Sequence, residues 1–169
     1  MKYVAITFIM IFCTATGRYL SQRLYQRTKL LEQSISMIYT IKTNMEYCNT
    51  PVAEMLEKLS STNGVEKLGF IKNCRERCKE GVEFPVAWDK SIKNSTYINS
   101  LQKGDIELLL EFGKSLGTTD LNGQLNICNF YTNQLSQKQN EARERFKSYG
   151  KVYSSMGLLL GTAIAIILF

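Results

Sequence analysis

Two uncharged apolar runs, YVAITFIMIFCTATG at residues 3–17 and SSMGLLLGTAIAIILF at residues 154–169, bracket a polar middle and restrict the folds open to this chain. A mean hydropathy of −0.15 averages the two patterns away. At 15 and 16 residues the runs are a little shorter than the roughly 20 that span a bilayer comfortably. The flanking Lys2, Arg18 and Lys151, with Tyr3, Tyr19 and Tyr153, extend each run by snorkelling and interfacial anchoring. The expectation is a transmembrane segment within residues 1–18, a cytoplasmic helical domain over 19–151, and a second transmembrane segment within 152–169.

Charge orients this arrangement. Arg18, Arg23, Arg27 and Lys29 follow the first run, and Arg143, Arg145, Lys147 and Lys151 precede the second. Positively charged flanks stay on the cytoplasmic side, so both hold the middle there. A cleavable signal peptide is the rival for the first run, with Lys2 as its charged end and small residues at 14–17. The basic far side opposes it. A core helix is the rival for the last run, and the matching basic flanks oppose that. The formal charge of +6 and pI near 9.1 admit nucleic acid or anionic lipid as partners. Cations concentrated at the apolar ends beside tyrosines select anionic membrane lipids and no nucleic acid. Five cysteines without regular spacing make a poor disulfide framework, which fits a reducing compartment.

Between the ends the pattern is helical throughout, with only two prolines to interrupt it. Leu20, Leu24, Leu31, Ile38, Ile41, Met45 and Cys48 recur by threes and fours, with Arg27 and Ser34 breaking the series, and predict a first long helix continuous with the apolar run. Thr50, Pro51 and Glu54 signal a restart, and the short helix ends near Leu59. A third helix is expected from Val65 to about Cys78, closing near Gly81. Pro85 opens a fourth, in which Trp88 is the natural core anchor. NSTYINSLQKGD, residues 94–105, is expected as loop and about 102–116 as the fifth helix, where Gly113 on the apolar stripe implies a close helix crossing. In GKSLGTTDLNGQL, Gly117 is placed to end that helix in the left-handed region and Asp120 to cap the sixth. The sixth carries Leu121, Leu125, Cys128, Thr132, Leu135, Gln139, Ala142, Phe146, Tyr149, Tyr153 and Met156. The fold class is therefore all-α, a bundle of about six helices.

Catalytic equipment is sparse. The chain has no histidine, the commonest general base and zinc ligand, and no glycine-rich phosphate loop. No cofactor or metal is expected. Cys74 and Cys78 share a helix face beside Arg75, Arg77 and Lys79, which frames one enzymatic alternative, a thiol site. The acidic residues Glu32, Glu46, Glu54, Glu57, Asp105, Glu107 and Glu111 lie farther from the ends and are expected on solvated faces, some as a docking patch.

Together NMEYCNTPVAEML, AWDKSI, LLEFGKSLGTTDLNGQL and the closing KVYSSMGLLLGTAIAIILF make the chain resemble the stage III sporulation protein AB family over essentially its whole length. The LGxxDxxGQ turn at residues 116–124 is the most specific element, and Val52 stands where the family usually has leucine. The resemblance implies likeness to the cytoplasmic helical domain of type II secretion and type IV pilus inner-membrane platforms. It also implies a place in the mother-cell membrane around the forespore, within a channel complex, with a secretion-type ATPase and other membrane components as partners. A platform subunit of another secretion or pilus-like machine is the near alternative. Residues expected at a partner contact are Glu46, Asp120 and Gln124, with Pro51, Trp88 and Gly117 setting the shape.

Overall fold

The computed structural model describes residues 2–48, 52–60 and 68–168, without the side chains of residues 2–9, 48, 52–54, 60, 97 and several positions from 154 on. Among these the chain is all-α. Six α-helices follow in order: α1 (Lys2–Cys48), α2 (Val52–Ser60), α3 (Phe70–Lys79), α4 (Phe84–Lys93), α5 (Lys103–Ser115) and α6 (Leu121–Leu168). A 3-10 helix, Thr96–Ser100, stands between α4 and α5. The chain divides into two compact units, residues 1–28 with 140–169, and residues 29–139.

The 29–139 unit is organised around an aromatic core. Trp88 on α4 is 1% exposed, and its Nε1 donates to the Leu109 carbonyl at 2.9 Å, so the indole buries its full apolar area without orphaning its N–H. Phe70, Phe84 and Phe112 ring it, with centroids 5.2, 5.4 and 6.1 Å away. Phe112 passes the contact to Tyr131 on α6 at 5.6 Å. Gly113 is the crossing residue expected from its place on the stripe: a Cβ there would run into the Trp88 indole. From α1 the unit takes Leu31, Met37, Ile38, Ile41 and Met45, and from α2 Met55, Leu56 and Leu59, all buried.

The two polar breaks in the α1 series prove to be on its buried face. Ser34 is fully buried and returns its hydroxyl to the Leu30 carbonyl at 2.9 Å, which satisfies it inside its own helix. Arg27 is 4% exposed. Other expectations need correction. Helix α3 starts at Phe70, not Val65: Leu68 and Gly69 are outside it, and the buried side chains of Leu68 and Phe70 set the entry. The expected loop at 94–105 contains the 3-10 helix, whose single turn is too short to leave a hydrophobic period in the sequence, and its last three residues already belong to α5. Asp105 is no docking residue. It is 1% exposed, and its Oδ2 accepts the Gln102 N–H at 2.9 Å at the start of α5. On α6 the buried stripe runs Gln124, Cys128, Tyr131, Leu135, Gln139 and Ala142, while Leu121, Tyr149, Tyr153 and Met156 are exposed. The seven-residue spacing holds through the middle of α6, at Cys128, Leu135 and Ala142, and the expected series is exposed at both ends.

In the other unit, α1 and α6 meet through Tyr25 and Phe146, ring centroids 5.5 Å apart, and through Gly150, which is buried beside Ser21. Among the described residues no helix is long and apolar enough to cross a membrane. Both expected transmembrane runs lie partly outside the described side chains.

Candidate functional site

The turn from α5 to α6 is built almost entirely from its own side chains. Leu116, 3% exposed, seats the end of α5 and its N–H bonds the Phe112 carbonyl at 3.1 Å. Gly117 follows at φ +82°, the left-handed region that glycine enters without a Cβ penalty. Its N–H, released from the helix, donates to Gln124 Oε1 at 3.0 Å. Gln124 Nε2 reaches back to the Thr119 carbonyl at 3.4 Å. One amide side chain thus clamps both arms of the turn from a site 5% exposed.

Asp120 performs the expected cap. Its Oδ1 accepts the Gly123 N–H at 2.9 Å and the Thr119 hydroxyl at 3.2 Å, which offsets one of the orphan amides at the start of α6. A Cβ on Gly123 would press into Thr119, so the spacing of the D-x-x-G-Q string is fixed by the closeness of this cap. The carboxylate stays exposed. Thr118, Thr119 and Leu121 are exposed beside it. Glu46 is also exposed, in the last turn of α1, while Lys42 one turn earlier bonds Asn129 Oδ1 of α6 at 2.8 Å.

The sequence-selected residues therefore fall into three groups. Asp120 and Glu46 offer carboxylates to solvent. Gln124, Gly117 and Trp88 hold the shape from within. Pro51 lies outside the described residues, together with Thr50 and the side chain of Glu54. Sequence inspection gave Gln124 a contact role; its position four residues after the capping aspartate was the signal that it could close the turn on Gly117. Asp105 was missed for a related reason: glutamine is an uncommon cap, so Q-x-x-D does not stand out.

The thiol pair has the opposite of nucleophilic character. Burial, followed by the neighbouring Cys78, pushes Cys74 up to about 12, against only a weak opposing pull from Arg77. Burial raises Cys78 too, and raises Cys128 to about 11. Thiols held protonated this far above neutrality are poor attackers and poor metal ligands. Of the basic neighbours, Arg75 pairs with Glu57. Among the described residues no group of three histidine, cysteine or acidic side chains is placed to hold a metal ion.

Comparison with known proteins settles the family. The family model for stage III sporulation protein AB matches residues 2–169. The chain belongs to this family. It is also 21% identical over 169 residues to stage III sporulation protein AB of Bacillus subtilis strain 168, covering 99% of each chain. No solved structure matches. Membership in a sporulation family and the all-α fold agree with the resemblance carried by the LGxxDxxGQ turn.

Proposed function

We propose that this sporulation protein is a non-enzymatic membrane platform, held at both ends in the mother-cell membrane around the forespore, whose helical middle couples a cytoplasmic secretion-type ATPase to other membrane components of a channel complex. The observation that carries the proposal is the exposed Asp120 carboxylate on a turn clamped by Gln124 and Gly117. A rigid turn presenting an acidic group with two threonine hydroxyls costs little ordering entropy on docking and suits a cationic surface on the ATPase. Glu46 is the second carboxylate of this contact. Support for membrane attachment comes from the sequence, where two uncharged runs carry basic flanks of one sense. Support against catalysis comes from the absence of histidine in the chain and the protonated thiols.

The test is co-purification of the ATPase with the tagged full chain from sporulating membranes. ATPase recovery should exceed that of an untagged control by at least about tenfold, as for any interaction stabilised by more than about 1.4 kcal/mol over background. It should fall to background with Glu46→Gln, Asp120→Ser in a chain that melts normally. Equal recovery with and without the tag overturns the ATPase coupling.

A further inference from the structure

A groove of about 500 Å³ opens in the unit formed by residues 1–28 and 140–169, lined by Ser21, Phe146, Lys147, Gly150 and Lys151. A smaller hollow of about 270 Å³ shares Ser21 and Phe146 with it and adds Arg18, Gln22 and Tyr25. Three cations line the pair of hollows and no carboxylate does. Among the described residues Arg18 and Lys151 enter no ion pair. Lys147 pairs at 3.1 Å with Glu144, but both side chains are about 70% exposed, so water and counter-ions compete for the contact. The Tyr25–Phe146 ring pair supplies an apolar wall. Gly150 keeps the hollow open, since a Cβ there would stand 2.9 Å from the Phe146 ring and 3.5 Å from Ser21 Oγ.

We infer that this groove is a binding site for the phosphodiester headgroup of an anionic phospholipid. Its volume suits an organic ligand, and a bare inorganic anion would leave the aromatic wall unused. Arg18 immediately follows the first apolar run, and Lys151 stands three residues before the second. The inference rests on the membrane attachment proposed above, which places these residues at headgroup depth. Arg18 and Lys151 hold the phosphate, Ser21 donates a hydrogen bond, and the rings, which lie farther from the apolar runs than the two cations, border the outer end of the headgroup.

The full chain in a non-ionic detergent is incubated with phosphatidylglycerol or phosphatidylcholine, and retained lipid is counted by native mass spectrometry. Phosphatidylglycerol should be retained at least about tenfold better, and Arg18→Gln, Lys151→Gln should lower its retention roughly 30-fold, from two cations near the headgroup. Arg143→Gln, Arg145→Gln serves as control: both residues are exposed on the same helix and line neither hollow, so retention should stay within about threefold. Equal loss in the two double variants overturns the site in favour of diffuse attraction. Equal retention of the two lipids, or displacement of phosphatidylglycerol by an equal concentration of inorganic phosphate, overturns the lipid assignment. Membrane attachment is tested separately, because release of the wild-type chain from membranes by alkaline carbonate would sink the attachment while leaving the detergent result to stand or fall alone.

Discussion

The two units of this chain are built on different physics. The 29–139 unit has a continuous aromatic core from Phe70 through Trp88 and Phe112 to Tyr131, with the Trp88 N–H and the Asp105 carboxylate satisfied at close range. The other unit has two ring pairs open to solvent on one side, Tyr25–Phe146 and Tyr149–Tyr153, buried Gly17 and Gly150, and a basic groove. The first has what a helical domain needs to fold in water; the second has what a helix pair needs to meet a charged surface. Stability and surface chemistry are thus separated along the chain, and substitutions should report which unit they fall in.

The largest loss should come from Trp88→Ala, about 3–5 kcal/mol, measured by urea unfolding of the chain in detergent, because it empties the centre of the aromatic core. A loss below about 1 kcal/mol would mean that the core is not where the stability resides. Gly113→Ala comes next. Its helix propensity rises by about 1 kcal/mol, but the Cβ collides with the indole of Trp88, so a net loss of about 1–3 kcal/mol is expected and a gain would contradict the close crossing.

Alkali should also act through the 29–139 unit. The folded values of Cys74 and Cys128, about 12 and about 11, lie above the ordinary thiol value near 9. The unfolded chain therefore loses these protons first, and stability present below pH 9 should decline as pH rises toward 11–12. Cys128→Ala should flatten that decline in melting temperature; an unchanged slope would show that burial of this thiol is not linked to folding. Smaller effects belong to the turn. Gln124→Ala leaves the Gly117 N–H without its acceptor and should cost about 1–3 kcal/mol. Asp120→Ala should cost about 0.5–2 kcal/mol and Asp120→Ser much less, since serine caps nearly as well. A small loss should also come from Phe146→Ala in the other unit, about 0.5–1.5 kcal/mol for a half-exposed ring pair.

Sequence periodicity made the helix count, the Gly113 crossing, the Gly117 terminus and the Asp120 cap legible, because each depends on residues within one or two turns. What it hid depends on partners distant in sequence. Arg27 and Ser34 looked like interruptions of a stripe, yet they occupy the buried face, where Ser34 is satisfied by its own helix. Asp105 looked solvent-bound because acidic residues usually are, and only the fold around the start of α5 buries it. The α6 series included exposed Leu121, Tyr149, Tyr153 and Met156 because spacing alone does not mark where along a helix its packing partners end. The groove was invisible for the same reason: Arg18 and Lys151 read as two separate flanks until α1 and α6 are laid side by side.

The separation of units makes its strongest claim about which side of the membrane the aromatic unit occupies. Asn94, exposed at the end of α4, can carry a single cysteine in a chain whose other cysteines are replaced by serine or alanine. Expressed in vegetative cells, where the proposed attachment would be to the plasma membrane, this residue should resist an impermeant thiol reagent in intact protoplasts and react once they are permeabilised. Ready labelling in intact protoplasts would put the aromatic unit outside, and would contradict the platform facing a cytoplasmic ATPase.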